Sequence, residues 1–260
     1  WRQGRHMTAD HISETRDIFD QGRSHRASLG FVIPATDRTS EADLLAMAPE
    51  GVGIHFSRIA MSGDITVEQL RMMEGSIEGA ASLILPDEGV DALCFHCTSG
   101  SLFVGEKNVI NALAAAGNAH WGTTVLTSAV EAFKALGITR LSLVTPYLQE
   151  ITSALAGYFE GLGFTIPCVK SMNLPLDSDI ARVKPGHIAA CATEADHPDS
   201  QAVFISCTGL RSVEIIAALE ERLGKPIVTS TQAAMWHMLR TVGVHDCLEG
   251  YGRLLEVFSG

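Results

Sequence analysis

Two cysteines carry the chemical signal in this chain. In LCFHCTSGS, residues 93–101, and in FISCTGLRS, residues 204–212, an apolar run ends at Cys-Thr just ahead of a helical pattern. A thiol there meets the free N–H groups and positive dipole end of a helix, which favour thiolate over thiol. Such a thiolate is a base or a nucleophile. Two of them flanking one cleft permit two reactions. One sulfur can remove a proton from a carbon while the other returns one on the opposite face, which is racemisation without a cofactor. Alternatively, one thiolate adds to a double bond and the other protonates the product. A lone cysteine in this setting is more often a core residue. The matched pair, Cys97 and Cys207, argues for function.

The neighbours of the pair extend the site. Thr98, Ser99, Thr208 and Gly209 can offer hydroxyl or backbone N–H donors to a carboxylate, or to the enolate-like charge that forms on proton removal. The same residues also suit plain helix capping. Tyr147 ends a strand in VTPY, where its hydroxyl reaches a cleft or its ring covers a sheet edge. Asp37, in IPATDRTSE after the first strand, binds substrate or caps the next helix. The CxxC of Cys94 and Cys97 suggests zinc or redox chemistry, but residues three apart on a strand point to opposite faces. No second CxxC supplies further ligands, so no metal is expected. His96 beside Cys97 reads as a core histidine. Cys168, Cys191 and Cys247 lack the strand-end context and read as packing residues. With no GxxxxGKS or GxGxxG, no nucleotide cofactor is implied, and the expected chemistry needs none.

Elements that hold these residues follow from periodicity. Strands are expected at 27–36, 51–60, 91–97, 120–128, 140–147, within FTIPCVKSMNL, at 201–207 and at 226–230. Amphipathic helices are expected between them, including one long helix over 66–86 and one over 101–117. Short apolar strands alternating with helices mean parallel sheets. Two sets of four predict an α/β protein of two pseudo-symmetric flavodoxin-like domains, each a mainly four-stranded parallel sheet flanked by helices. The halves share Cys-Thr, and VLTSAVEAFKALGI resembles IVTSTQAAMWHMLRTVGV, which points to duplication. Residues 1–24 read as a polar leader, with Trp1–His6 ahead of Met7 as a vector remnant. Residues 25–121 with 227–260 form the expected first domain and 122–226 the second, with the site between them.

Composition excludes several classes. The net charge is −11 with no Lys/Arg run, so a nucleic-acid partner is not expected. No apolar stretch reaches membrane-spanning length, and the polar start lacks a signal-peptide core. Six scattered cysteines in 260 residues suggest reduced thiols and a cytoplasmic setting rather than a disulfide scaffold.

The anchors IPATDRTSE, CTSGS, VTPY and SCTGLRS resemble the aspartate/glutamate racemase superfamily, and more closely its maleate isomerase and arylmalonate decarboxylase branch, over residues 27 to about 245. The resemblance implies two pseudo-symmetric α/β domains with the site between them, catalysis by Cys97 and Cys207, and a small carboxylate substrate. It places Thr98, Ser99, Tyr147 and Gly209 at the substrate carboxylate and Asn173 at a polar substrate contact. It permits homo-oligomers. The decarboxylase has glycine at the position of Cys97, which argues against simple decarboxylation here. Maleate isomerases have asparagine at the position of Asp37, and a carboxylate there would repel a dicarboxylate and suit an ammonium group. IPATDRTSE resembles the racemase-like proteins of ectoine degradation. Three readings follow: a two-cysteine racemase or isomerase, a maleate cis-trans isomerase, and a non-catalytic ligand-binding or thiol-sensing protein.

Overall fold

The computed structural model describes residues 18–256; the first 17 residues of the expected leader lie outside the described residues. Eight strands form two four-stranded, all-parallel sheets. The first contains β1 (Ala27–Pro34), β2 (Val52–Ile59), β3 (Val90–Phe95) and β4 (Ala119–Thr124) in the order β2-β1-β3-β4. The second contains β5 (Leu141–Thr145), β6 (Val169–Ser171), β7 (Ala202–Ile205) and β8 (Ile227–Thr229) in the order β6-β5-β7-β8. The two orders are the same topology, so β1 corresponds to β5 and β3 to β7. Duplication is therefore visible in the strand plan, and Cys97 and Cys207 leave equivalent strands.

The central strands are apolar because both faces are covered. Every residue of β5 and β7 is buried, as expected for strands under helices on two sides. In each sheet the chain leaves one central strand toward one edge and the other toward the opposite edge. Loops after β1 and β3, and after β5 and β7, thus open a crevice at the strands' carboxyl ends.

The helices in chain order include α1 (Ser40–Ala46), α2 (Val67–Met72), α3 (Glu74–Ala81), α4 (Thr98–Val104), α5 (Glu106–Ala115), α6 (Val125–Ala135), α7 (Gln149–Gly161), α8 (Asp177–Ile180), α9 (Pro185–Ala195), α10 (Ile216–Leu223) and α11 (Ser230–Thr241), and they depart from the expected boundaries where backbone chemistry intervenes. The long helix over 66–86 is two, α2 (Val67–Met72) and α3 (Glu74–Ala81), divided at Met73. The helix after β3 is also two, α4 (Thr98–Val104) and α5 (Glu106–Ala115), because Gly105 takes φ 89° and no helix continues through that conformation. Strand β4 ends at Thr124, whose hydroxyl caps α6 (Val125–Ala135); Thr229 caps α11 (Ser230–Thr241) in the same way. The internal match is therefore Thr124 with Thr229, three residues upstream of the Thr-Ser correspondence in the sequence.

Two helices cross between the halves. Phe133 of α6 packs edge-on against Phe159, Phe164 and Phe204 of the second half, with ring centroids 5.6, 5.5 and 5.2 Å away. Burying one such ring stabilises the fold by about 2–3 kcal/mol. Strand β8, placed with the first half by the sequence division at 226/227, pairs with β7 in the second sheet. The helix after it makes the return: Ser230 meets Thr98, and Thr231 lies 3.5 Å from His96.

Candidate active site

The crevice between the two sheets closes over a small cavity, about 20 Å³ to the centre of a water-sized sphere. Its walls come from strand ends of both halves: Pro34 at the end of β1 and Asp37 after it, Cys97, Thr98 and Ser99 after β3, Tyr147 after β5, Asp177 after β6, and Cys207, Thr208 and Gly209 after β7. Met61 and Ile65, from the loop after β2, complete the enclosure. That loop is tied to the chain ahead of Asp177: Ile65 N–H donates to Pro175 O at 3.0 Å, and Asp177 N–H donates to Gly63 O at 3.0 Å.

Cys97 is the N-cap of α4, and its Sγ accepts the Gly100 N–H at 3.3 Å. The close approach depends on Gly100. A Cβ there would lie 3.0 Å from Cys97 Sγ and 3.1 Å from both Met73 Sδ and Phe95 Cε1. Cys207 Sγ accepts the Gly209 N–H at 3.3 Å. Its φ is 128°, a conformation that side chains rarely adopt and that costs on the order of 1–3 kcal/mol. Backbone of this kind persists only where the surrounding structure over-determines it. Ser230 braces both turns, because its Oγ accepts from Thr98 Oγ1–H and from Cys207 N–H, each at 3.0 Å. Ser230 carries no signal in the sequence beyond following Thr229; its role depends on the return of α11.

Lowered thiol pKa values were the expectation at these helix starts, and the structure corrects it. Burial pushes Cys97 up to about 12, against smaller lowering by the Gly100 N–H and Ser99. Burial raises Cys207 as well, against lowering by Tyr147 and the Gly209 N–H. Both sulfurs are thiols at neutral pH. Dehydration outweighs the few donors because a thiolate in an enclosed cavity loses nearly all its water. Tyr147, itself buried, touches both Cys207 and Ser99 through its hydroxyl, and burial raises its pKa well above the ordinary value.

The structure sorts the remaining candidates. Thr98, Ser99, Thr208 and Gly209 all line the cavity. Two hydroxyls are already engaged, Thr98 with Ser230 and Thr208 with His96 O at 3.4 Å. The Gly209 N–H is taken by Cys207. The free donors for an anion include the Thr98 and Ser99 N–H groups, which have no acceptor within their helix, and beside them lie the Ser99 and Tyr147 hydroxyls, which meet each other and the sulfurs. Asp37 sits at the cavity wall and also ties down the start of the next helix. It lines the cavity, and its carboxylate accepts from Thr39 N–H at 2.9 Å, Ser40 N–H at 2.8 Å and Ser40 Oγ at 2.6 Å. Asn173 is exposed, with φ 58°, and does not line the cavity. Asp177, four residues on, does. It was missed because β6 is only three residues long and its exit loop has no periodic pattern to count from.

His96 is fully buried, edge-on to Phe31 at 5.4 Å, and burial pushes its pKa down to about 3. It is a neutral core residue, although its Nδ1 has no hydrogen-bond partner. Cys94 points into the core and is also fully buried, away from the cavity. All six cysteines are free. Among the described residues no cluster of three or more His, Cys, Asp or Glu side chains is arranged to hold a metal, and no helix is long and apolar enough to cross a membrane.

Comparison with known proteins places this geometry. Residues 29–255 match the arylmalonate decarboxylase family model. The chain is similar to a maleate isomerase of Pseudomonas putida, 26% identical over 88% of this chain and 96% of the relative. It is 30% identical to the arylmalonate decarboxylase of Bordetella bronchiseptica over 52% of this chain and 57% of that one. Among solved structures, the maleate isomerase of Pseudomonas putida S16 with maleate superposes with a TM-score of 0.82 at 22% identity, covering 88% of this chain and 97% of that one. A liganded arylmalonate decarboxylase variant superposes with a TM-score of 0.79 at 26% identity, covering 88% and 98%.

Proposed function

This chain belongs to the arylmalonate decarboxylase family, and from that premise we propose that it is a cofactor-independent two-cysteine isomerase of the racemase type acting on a small carboxylate. The observation that carries the reading is the placement of Cys97 and Cys207. They leave equivalent strands of the two sheets and line one cavity. In this reading a carbon held between them meets one sulfur on each face.

Each turnover moves two protons, one off the carbon to the first sulfur and one onto it from the second. As substrate enters, one thiol gives its proton to solvent. That thiolate takes the α-hydrogen and becomes a thiol, and the electron pair spreads into the carboxylate, held by the Thr98 and Ser99 N–H groups and the Ser99 and Tyr147 hydroxyls. The other thiol protonates the opposite face and becomes the thiolate. The reverse direction exchanges the roles. IPATDRTSE resembles the racemase-like proteins of ectoine degradation, which supports an amino acid or its acyl derivative as substrate in that type of catabolism.

The relatives favour a second reading, maleate cis-trans isomerisation. A Nocardia farcinica maleate isomerase structure holds a covalently bound succinylcysteine intermediate. In this chain the corresponding chemistry would be addition of one thiolate to the double bond and protonation of the neighbouring carbon by the other thiol. Rotation about the new single bond, loss of that proton and expulsion of the sulfur give the trans acid.

One experiment separates the readings: exchange of the α-hydrogen with deuterated water, followed by NMR, over maleate, aspartate, glutamate, 2,4-diaminobutyrate and its acetyl derivatives. Exchange with inversion, reduced at least ~10³-fold in both Cys97→Ser and Cys207→Ser, supports the racemase reading. Conversion of maleate to fumarate selects the second. Full activity in either single variant removes both.

A further inference from the structure

We propose that Asp37 and Asp177 form a subsite for a protonated amine, so that the substrate is a free amino acid rather than a dicarboxylate or an N-acylated acid. The inference rests on the two-cysteine reading and narrows it to one substrate class.

Both carboxylates line the cavity that holds the sulfurs, one from each half of the molecule. Asp37 is fixed by three donors, which leaves one of its roughly four lone-pair positions for a ligand. Asp177 Oδ1 points along Gly209: a Cβ placed there would lie 3.6 Å from that oxygen and 3.6 Å from Cys207 Sγ. One atom in the cavity can thus touch the carboxylate and the sulfur together. An α-carbon facing Cys207 would carry its nitrogen to Asp177.

Charge makes the same selection. Among the described residues, none that lines the cavity is basic. Arg58 is committed beside it, donating to Asp37 O at 2.9 Å and paired with Glu41 at 3.0 Å. Arg38, exposed, acts on Asp177 from outside. Burial raises the Asp177 pKa, and the Asp37 charge adds to the rise. The Asp177 charge also opposes ionisation of both catalytic thiols. A second carboxylate on the substrate about 5 Å from either acid would weaken binding on the order of a hundredfold. An amide nitrogen offers no charge, and its acyl group adds volume to a small cavity. An ammonium group offsets the two acids and lowers the cost of forming a thiolate beside them.

The test separates binding from chemistry. Calorimetric titration of the full chain carrying Cys97→Ser and Cys207→Ser measures affinity without turnover. The ligands are alanine, 2,4-diaminobutyrate, N-acetylalanine and maleate. We expect the free amines to bind at least tenfold more tightly than N-acetylalanine or maleate. Asp177→Asn should abolish that preference, and Asp177→Glu should retain part of it. In the active enzyme, Asp177→Asn should raise KM for a free amine at least tenfold with a smaller change in kcat. Preferential binding of maleate or N-acetylalanine overturns the inference. So does an Asp177→Asn variant with an unchanged preference, or failure of both amines to bind. These outcomes are independent of the two-cysteine reading, which fails only when a single cysteine variant keeps full activity.

Discussion

The raised thiol pKa values make a quantitative claim that can be tested without knowing the substrate. A free thiol with pKa near 8.5 is about one-quarter thiolate at pH 8. Cys97, pushed up to about 12 by burial, is ionised to about one part in 10⁴ at that pH. The thiolate fraction therefore falls about 2,000-fold. A more basic thiolate is a better nucleophile, and a Brønsted slope of about 0.45 over some 3.5 pH units returns a factor of about 40. The net rate of exchange with a disulfide should lie about 50-fold below that of a free thiol, before any loss from restricted access. Access scales the rate at every pH alike, so the shape of the profile isolates ionisation. In a Cys207→Ser background, modification of Cys97 by 2-hydroxyethyl disulfide, read by mass spectrometry, should rise about tenfold per pH unit from 7 to 10. Circular dichroism at each pH confirms that the fold persists. A plateau below pH 9.5 would refute the conclusion that burial outweighs the Gly100 N–H and Ser99.

Four further outcomes follow from single residues. Gly100→Ala puts a methyl 3.0 Å from Cys97 Sγ, so turnover should fall about 100-fold while the variant stays folded; turnover within twofold of the parent would show that the thiol has room to move. Relief of the 128° φ should make Cys207→Gly about 1–2 kcal/mol less destabilising than Cys97→Gly, whose φ is −144°, as read from urea midpoints. Burial holds His96 neutral down to about pH 3, whereas in the unfolded chain it protonates near 6.5. Its contribution is therefore complete above 6.5 and is lost as pH falls from there toward 3, about 2 kcal/mol by pH 5, so His96→Asn should flatten the urea midpoint between pH 7 and 5. Tyr158→Phe removes a 2.6 Å hydrogen bond to Glu106, which also accepts from Thr127, and should cost about 1–2 kcal/mol in thermal unfolding.

What was legible in the sequence was whatever is repeated and periodic. Both Cys-Thr turns stood out because buried parallel strands read as apolar runs, and the run stops where the chain reaches the crevice. The strand plan followed from the same alternation. Elements set by single backbone conformations were not legible: Gly105 and Met73 divide helices whose apolar spacing continues without a break. Asp177 and Ser230 were missed for a different reason. Each owes its position to packing between the halves, through the paired loops at 63–65 and 175–177 and through the return of α11. The thiol pKa direction was misjudged because helix-end donors can be counted along a chain, whereas loss of water depends on walls contributed by both sheets.

Duplication supplies two thiols but not two equal ones, and the difference has a kinetic consequence. Cys97 is a helix cap with ordinary backbone and one N–H donor, with Ser99 Oγ 3.9 Å away. Cys207 sits in strained backbone with an N–H donor and the Tyr147 hydroxyl. Hydrogen bonds to a thiolate favour it, so the two sulfurs differ in the ease with which each becomes the base. A racemase has an equilibrium constant of one, and kcat/KM must then be equal for the two enantiomers whatever the asymmetry. The individual constants need not match. A stabilised thiolate is more populated and less basic, so the enantiomer deprotonated by Cys207 should show the smaller kcat and, in proportion, the smaller KM. Tyr147→Phe should bring the two pairs of constants together by removing one of the features that distinguish the sulfurs. Equal kcat values for both enantiomers in the parent enzyme would mean that the Tyr147 contact does not persist in the complex.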